Sequence, residues 1–221
     1  YEWNLTIPDG SSAQLSDDQA ENPTFTPDEA GDYVASLMVN DGNGESDQDD
    51  VTVTAESEIV EITDDITEDE TWTSDKQYHV LNAIDVSNGA KLTIQPGVRV
   101  EFAVDAGITI ASDNSVLVSA GTSEESITLT GEQESNGFWK GIRINSNSVE
   151  NEISHTIIEY AGSTSAGTYF DAAALTIDQA KVQLDHNTIT NSGQYGIQTR
   201  RDGSEFHMQH MTLAENDGDD M

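Results

Sequence analysis

The sequence contains no cysteine, so disulfides do not brace it; exported and intracellular chains both fit that absence. Basic residues are almost as scarce. Eight Lys and Arg stand against 42 Asp and Glu, a formal net charge of −34. A surface that negative repels nucleic-acid phosphates and anionic lipid, which argues against nucleic acid as a partner. No apolar run reaches the length that crosses a bilayer, so membrane insertion is not expected. Also missing are the Gly-x-Ser-x-Gly elbow, a phosphate-binding loop and His-Glu-x-x-His, and with them the signatures of three catalytic classes. Helical periodicity is absent too, which leaves an all-β class. The chain opens at Tyr1 without Met, and a piece of a longer precursor is the expectation. The charge suits calcium, high salt or both, as in a marine or halophilic source, where salt screens self-repulsion.

What is present is a succession of short β-branched runs. Leu92-Thr93-Ile94, Val98 to Phe102, Ile108-Thr109-Ile110, Val116-Leu117-Val118 and Ile127-Thr128-Leu129 alternate apolar with other residues. Gly, Asn, Asp, Ser and Pro fill the corners between them, as in Ser87-Asn88-Gly89 and Gln95-Pro96-Gly97. Ile94 and Val116 are 22 residues apart, and several short strands in that interval are the period of a solenoid coil. This predicts a right-handed parallel β-helix over 78–221, continuing beyond the chain end. Three later segments align: Ile153 to Gly162, Leu184 to Gly193 and Met208 to Asn216. His155, His186 and His210 occupy one place in the three, at offsets of 31 and 24. The longer offset assigns about seven extra residues to a loop within Ser163 to Ala172. Stacking puts the three imidazoles in a ladder on one side, and Ile158, Ile189 and Leu213 in an internal aliphatic stack. Imidazoles stacked in this way point in one direction and do not converge on a tetrahedral metal.

Residues 1–55 read differently. The strands Tyr33 to Val39 and Val51 to Ala55 form an antiparallel pair with Asp41-Gly42 at the start of its loop. Together with the Trp3 strand, the run Pro23-Thr24-Phe25-Thr26-Pro27, the Gly31-Asp32-Tyr33 strand and the Val39-Asn40-Asp41-Gly42 turn, this pattern resembles the second half of a polycystic-kidney-disease (PKD) repeat. The resemblance implies an immunoglobulin-like β-sandwich lacking its first strands, with an open edge and core face. Residues 56–77 are assigned to an acidic linker that becomes the solenoid cap. Trp72 and Tyr78 would close that end. The linker run holds eight acids between Glu56 and Glu70. Asp64, Asp65, Glu68, Asp69 and Glu70 are the candidate calcium ligands there, against the plainer reading of a solvated face.

Gly89-Ala90-Lys91-Leu92-Thr93-Ile94-Gln95-Pro96-Gly97-Val98 resembles the opening coil of β-helix proteins secreted by marine and Bacteroidetes-type bacteria. Trp139 to Ile144 and Ile158 to Gly162 fit the same group. The resemblance implies an extracellular or cell-surface protein. That group mixes adhesins and carbohydrate-active enzymes, so fold alone leaves function open. A polysaccharide lyase needs cations to neutralise a uronate, and Lys140, Arg143, Arg200 and Arg201 are the candidates. The plainer reading pairs Arg200 and Arg201 with surrounding acids. A binding function would use Tyr169 and Phe170 on the long loop, and Phe138 and Trp139 on another, as faces for sugars. Trp139 also suits a core corner. The leading expectation is a non-catalytic structural and adhesive protein that contacts polysaccharide or other cells. The alternatives are a lyase or hydrolase, and a homo-oligomeric filament subunit joined through open edges.

Overall fold

Alternating runs and turn-forming breaks fold as strands from end to end: the described residues hold 21 strands and no helix. The computed structural model describes residues 1–40, 42–44, 46–111, 114–163 and 172–218. It divides into two compact units, Tyr1–Glu58 and Ile59–Met221.

In the first unit β1 (Glu2–Thr6), β2 (Gly31–Met38) and β3 (Asp49–Ala55) make one antiparallel sheet in that order. Tyr33 anchors it. The ring is fully buried, 5.3 Å from that of Phe25. Its hydroxyl donates to the Glu29 carbonyl at 2.8 Å and accepts the Glu29 amide at 3.0 Å. Asp28 next to it accepts the hydroxyls of Ser11 at 2.5 Å and Ser12 at 2.6 Å, which hold its carboxyl far below the usual range. The expected open face is present, since Val51 and Val53 on β3 are 53% and 40% exposed.

The second unit winds. β4 (Glu58–Ile62) joins the solenoid as an edge strand beside β6. The first coil is β5 (Glu70–Trp72), β6 (Lys76–Val80) and β7 (Ala83–Val86). The second is β8 (Lys91–Ile94), β9 (Arg99–Phe102) and β10 (Gly107–Ile110), the third β11 (Val116–Ala120), β12 (Ile127–Gly131) and β13 (Gly141–Ile144). The fourth is β14 (Glu152–Ser154), β15 (Thr156–Glu159) and β16 (Ala173–Asp178), the fifth β17 (Lys181–Asp185), β18 (Thr188–Thr190) and β19 (Tyr195–Arg200). β20 (Glu205–Gln209) and β21 (Thr212–Ala214) begin a sixth. Like strands stack in parallel into three sheets, β5 to β20, β4 to β21 and β7 to β19, each running the length of a parallel β-helix. Residues 56–77, read as linker and cap, thus already contribute β4, β5 and the start of β6 to the sheets.

Register puts like on like inside. Leu92 sits under Leu117, Val100 under Leu129, and Ile108 under Ile142 and Leu175. The aliphatic stack of Ile158, Ile189 and Leu213 is also in register. Each fully buried Leu or Ile of this kind contributes about 1.5–3 kcal/mol relative to exposure. Trp72 and Tyr78 stack 4.8 Å apart in the first coil, both buried. The coils turn on left-handed residues: His155, His186 and His210 take φ of 45°, 52° and 50° between the first and second strands of their coils. Buried asparagines staple the rungs. Asn187 accepts the Thr156 amide at 2.9 Å and donates to the Ile153 carbonyl at 2.7 Å.

Candidate functional site

The candidate basic residues lie on the sheet that contains β10, β13, β16 and β19. Gly141 opens β13 at φ +99°, where a Cβ would come within 2.5 Å of the Ala174 carbonyl oxygen, so only glycine lets the coils approach there. Lys140 occupies the corner before it, its amide donating to the Ala106 carbonyl at 2.8 Å. Arg143 on β13 and Arg201, just past β19, converge on Asp178 at the end of β16. Arg143 binds one carboxylate oxygen, and Arg201 Nε donates to the other at 2.5 Å. The Asp178 side chain is 2% exposed, against 19% for Arg143 and 52% for Arg201. Burial pushes its carboxyl up, but the hydrogen bonds from Arg201 and Arg143 outweigh this and hold it below the ordinary value. Arg200 stands on β19 opposite Asp178 in register. Two of the four candidate cations are therefore committed to one buried carboxylate. Asp178 itself went unnoticed in the sequence, where Ile177-Asp178 reads as an ordinary strand end.

The aromatic candidates divide. Trp139 is fully buried, its ring stacked 3.9 Å from Phe102 and its indole N–H donating to the Glu159 carbonyl at 2.8 Å. Both faces are enclosed, so as a sugar platform Trp139 is corrected to a core residue. Phe138 is half-buried against the same core. Tyr169 and Phe170 lie outside the described residues.

The acidic run is distributed over the first coil. Asp65 accepts the Asp85 amide at 2.8 Å, Asp69 the Lys91 amide at 2.9 Å, and Glu70 the Trp72 indole N–H at 2.8 Å. Asp65 and Asp69 close backbone amides of neighbouring strands and Glu70 the indole of its own strand, uses that need no ion. Asp64 and Glu68 are exposed. Among the described residues, the only grouping of three or more metal-ligating side chains is elsewhere, at Asp185, His186 and His210.

That group belongs to the histidine ladder. His155 and His186 rings lie 4.7 Å apart and 7° from parallel, His186 and His210 4.1 Å apart and 19° from parallel. The ladder forms as the aligned segments predict. Its partner Asp185 was not anticipated: the Nδ1 atoms of His186 and His210 lie 2.8 and 2.9 Å from one Asp185 oxygen. The hydrogen bond from His210 is the main reason that this carboxyl sits below the ordinary range. The available signal was the doublet Asp185-His186, which the aligned segments replace by Ser154-His155 and Gln209-His210.

No curated protein and no solved structure matches the chain. Residues 1–55 match the K319L-like PKD domain. Residues 64–193 match the pectate-lyase-like beta helix domain. Domains of both kinds are typical of secreted or surface proteins. The second match spans more than half of the sequence and coincides with the stacked coils, and the chain belongs to the pectate-lyase-like beta-helix family.

Proposed function

We propose that this chain is a non-catalytic structural and adhesive module of an extracellular or surface protein, whose β-helical rod contacts polysaccharide or other cells. The observation that carries the reading is the Arg143–Asp178–Arg201 cluster. A lyase acting on an acidic glycan needs cations free to draw in and neutralise the uronate, and here two of the candidates share one buried acid, which offsets half of their charge and fixes their direction. The net charge of −34 works in the same direction, because it repels polyanionic substrates. Calcium enters as a diffuse counterion that screens this surface and bridges it to acidic glycans, since Asp65, Asp69 and Glu70 are engaged in hydrogen bonds.

The test is incubation of the purified chain with a glycan panel that includes alginate and pectin, with and without calcium. The expected result is retention on one or more glycans with no unsaturated or shortened product. Product release abolished by Arg200→Ala would replace this reading by a lyase. Light scattering on the same sample addresses filament assembly, which a monodisperse monomer excludes.

A further inference from the structure

We propose that Asp185, His186 and His210 form a surface site for a late transition-metal dication, copper(II) or nickel(II) ahead of zinc. A plain imidazole ladder requires only ring on ring, as at the His155–His186 step. The next step has more. One oxygen of Asp185 faces the Nδ1 atoms of both His186 and His210, at 2.8 and 2.9 Å. These spacings are those of hydrogen bonds between the rings and the carboxylate, and they bring ligating atoms of two kinds to one corner. The two rings lie 19° from parallel, so one of these exposed imidazoles must turn for both lone pairs to meet one ion, and mixed imidazole and carboxylate ligation favours copper(II) and then nickel(II) by the general affinity order of divalent metals.

The register explains why the site occurs at one rung. Asp185 aligns with Ser154 below it and Gln209 above it, so a carboxylate sits at this corner only in the fifth coil. Both imidazoles are open to solvent, 46% and 60% exposed, and Asp185 is 35% exposed, so an ion reaches all three without unfolding. Binding requires a bare Nδ1 on each ring, so any hydrogen there moves to Nε2 or leaves to solvent. No electron transfer is involved. Three protein atoms leave the remaining positions on the ion to water.

The experiment is titration of the full chain with copper(II), read by calorimetry and by the nitrogen splitting in the electron paramagnetic resonance spectrum. Wild type should bind one ion at this site with two imidazole nitrogens, in the presence of excess calcium. Asp185→Asn and His210→Ala should each weaken binding by about tenfold or more, and His210→Ala should remove one nitrogen from the spectrum. His155→Ala, one rung away, should leave affinity and spectrum unchanged. The inference is overturned if His210→Ala keeps both nitrogens, or if Asp185→Asn and His210→Ala both bind as wild type does. These side chains are exposed, and far-ultraviolet circular dichroism of each variant confirms that the coils are intact; the wild-type spectrum alone also decides, because coordination by carboxylates only gives no nitrogen splitting.

Discussion

The antiparallel sheet of residues 1–58 and the β-helix of residues 59–221 are built from the same kind of short β-branched strand but bury it to different depths. In the sheet, Tyr33 and Ala35 are the buried hydrophobics among the described residues, while Val53 and Val51, their register partners on the same face, stay exposed on the edge strand β3. In the β-helix the inward rows close on one another: Leu92, Leu117, Val100, Leu129, Ile110 and Ile144 are all at 0% exposure. The reason is geometric. The face of the sheet that buries Tyr33 is left open along its edge strand, whereas a coil turns each strand's inner face toward the inner faces of two others. A valine is therefore near neutral in β3 and worth about 1.5–3 kcal/mol in a coil.

The largest effect that would break this comparison is expected at Trp139. Trp139→Ala should destabilise the β-helix by about 3–5 kcal/mol in urea denaturation, because the cavity beside Phe102 has no route to collapse. A loss as small as that of an exposed residue would show that the coils are less well packed than the structure implies.

Asp178→Asn comes next. It leaves two guanidiniums without their counter-charge, at a cost of about 2–4 kcal/mol, less than a fully enclosed pair because Arg201 is half exposed. The wild-type carboxyl is held below its ordinary 3.8, so its stabilisation is fully present above that pH and is lost as pH falls through the lowered folded value. The gap between wild type and variant should thus be widest near neutral pH and shrink in acid. A gap that is flat with pH would remove the ion cluster from the account.

Asn187→Ala should cost about 1–3 kcal/mol, since the Thr156 amide and Ile153 carbonyl are buried when their partner is lost. Native-state hydrogen exchange should accelerate at Thr156 in this variant, and unchanged exchange there would argue against the staple. The smallest effect is expected in the sheet, where Val53→Ala should change stability by about 0.5 kcal/mol or less. A larger loss in thermal melting would mean that something in the full protein covers β3.

Much of the β-helix was legible. The histidine offsets of 31 and 24 reproduce the observed register, in which Glu152 pairs with Gln183 and Gln183 with His207, whereas Ile94 pairs with Ser119 and not with Val116, 22 residues on. Periodicity of two reports which face a strand buries, and stacked repeats convert equal position into contact. The site residues were far less legible. Trp139 has the composition of a sugar platform and the location of a core residue. Arg143, Asp178 and Arg201 are separated by 35 and 23 residues and gave no local signal of their meeting.

By itself, the sequence determined the class, the winding, the ladder and the acidity of this protein, because these follow from local alternation, repeat spacing and composition. The tertiary structure alone decided which cations are spent on a buried acid, which aromatic is enclosed, and which carboxylate meets two imidazoles. Those outcomes depend on which residues different coils bring to the same corner, a relation that only the stacked register supplies.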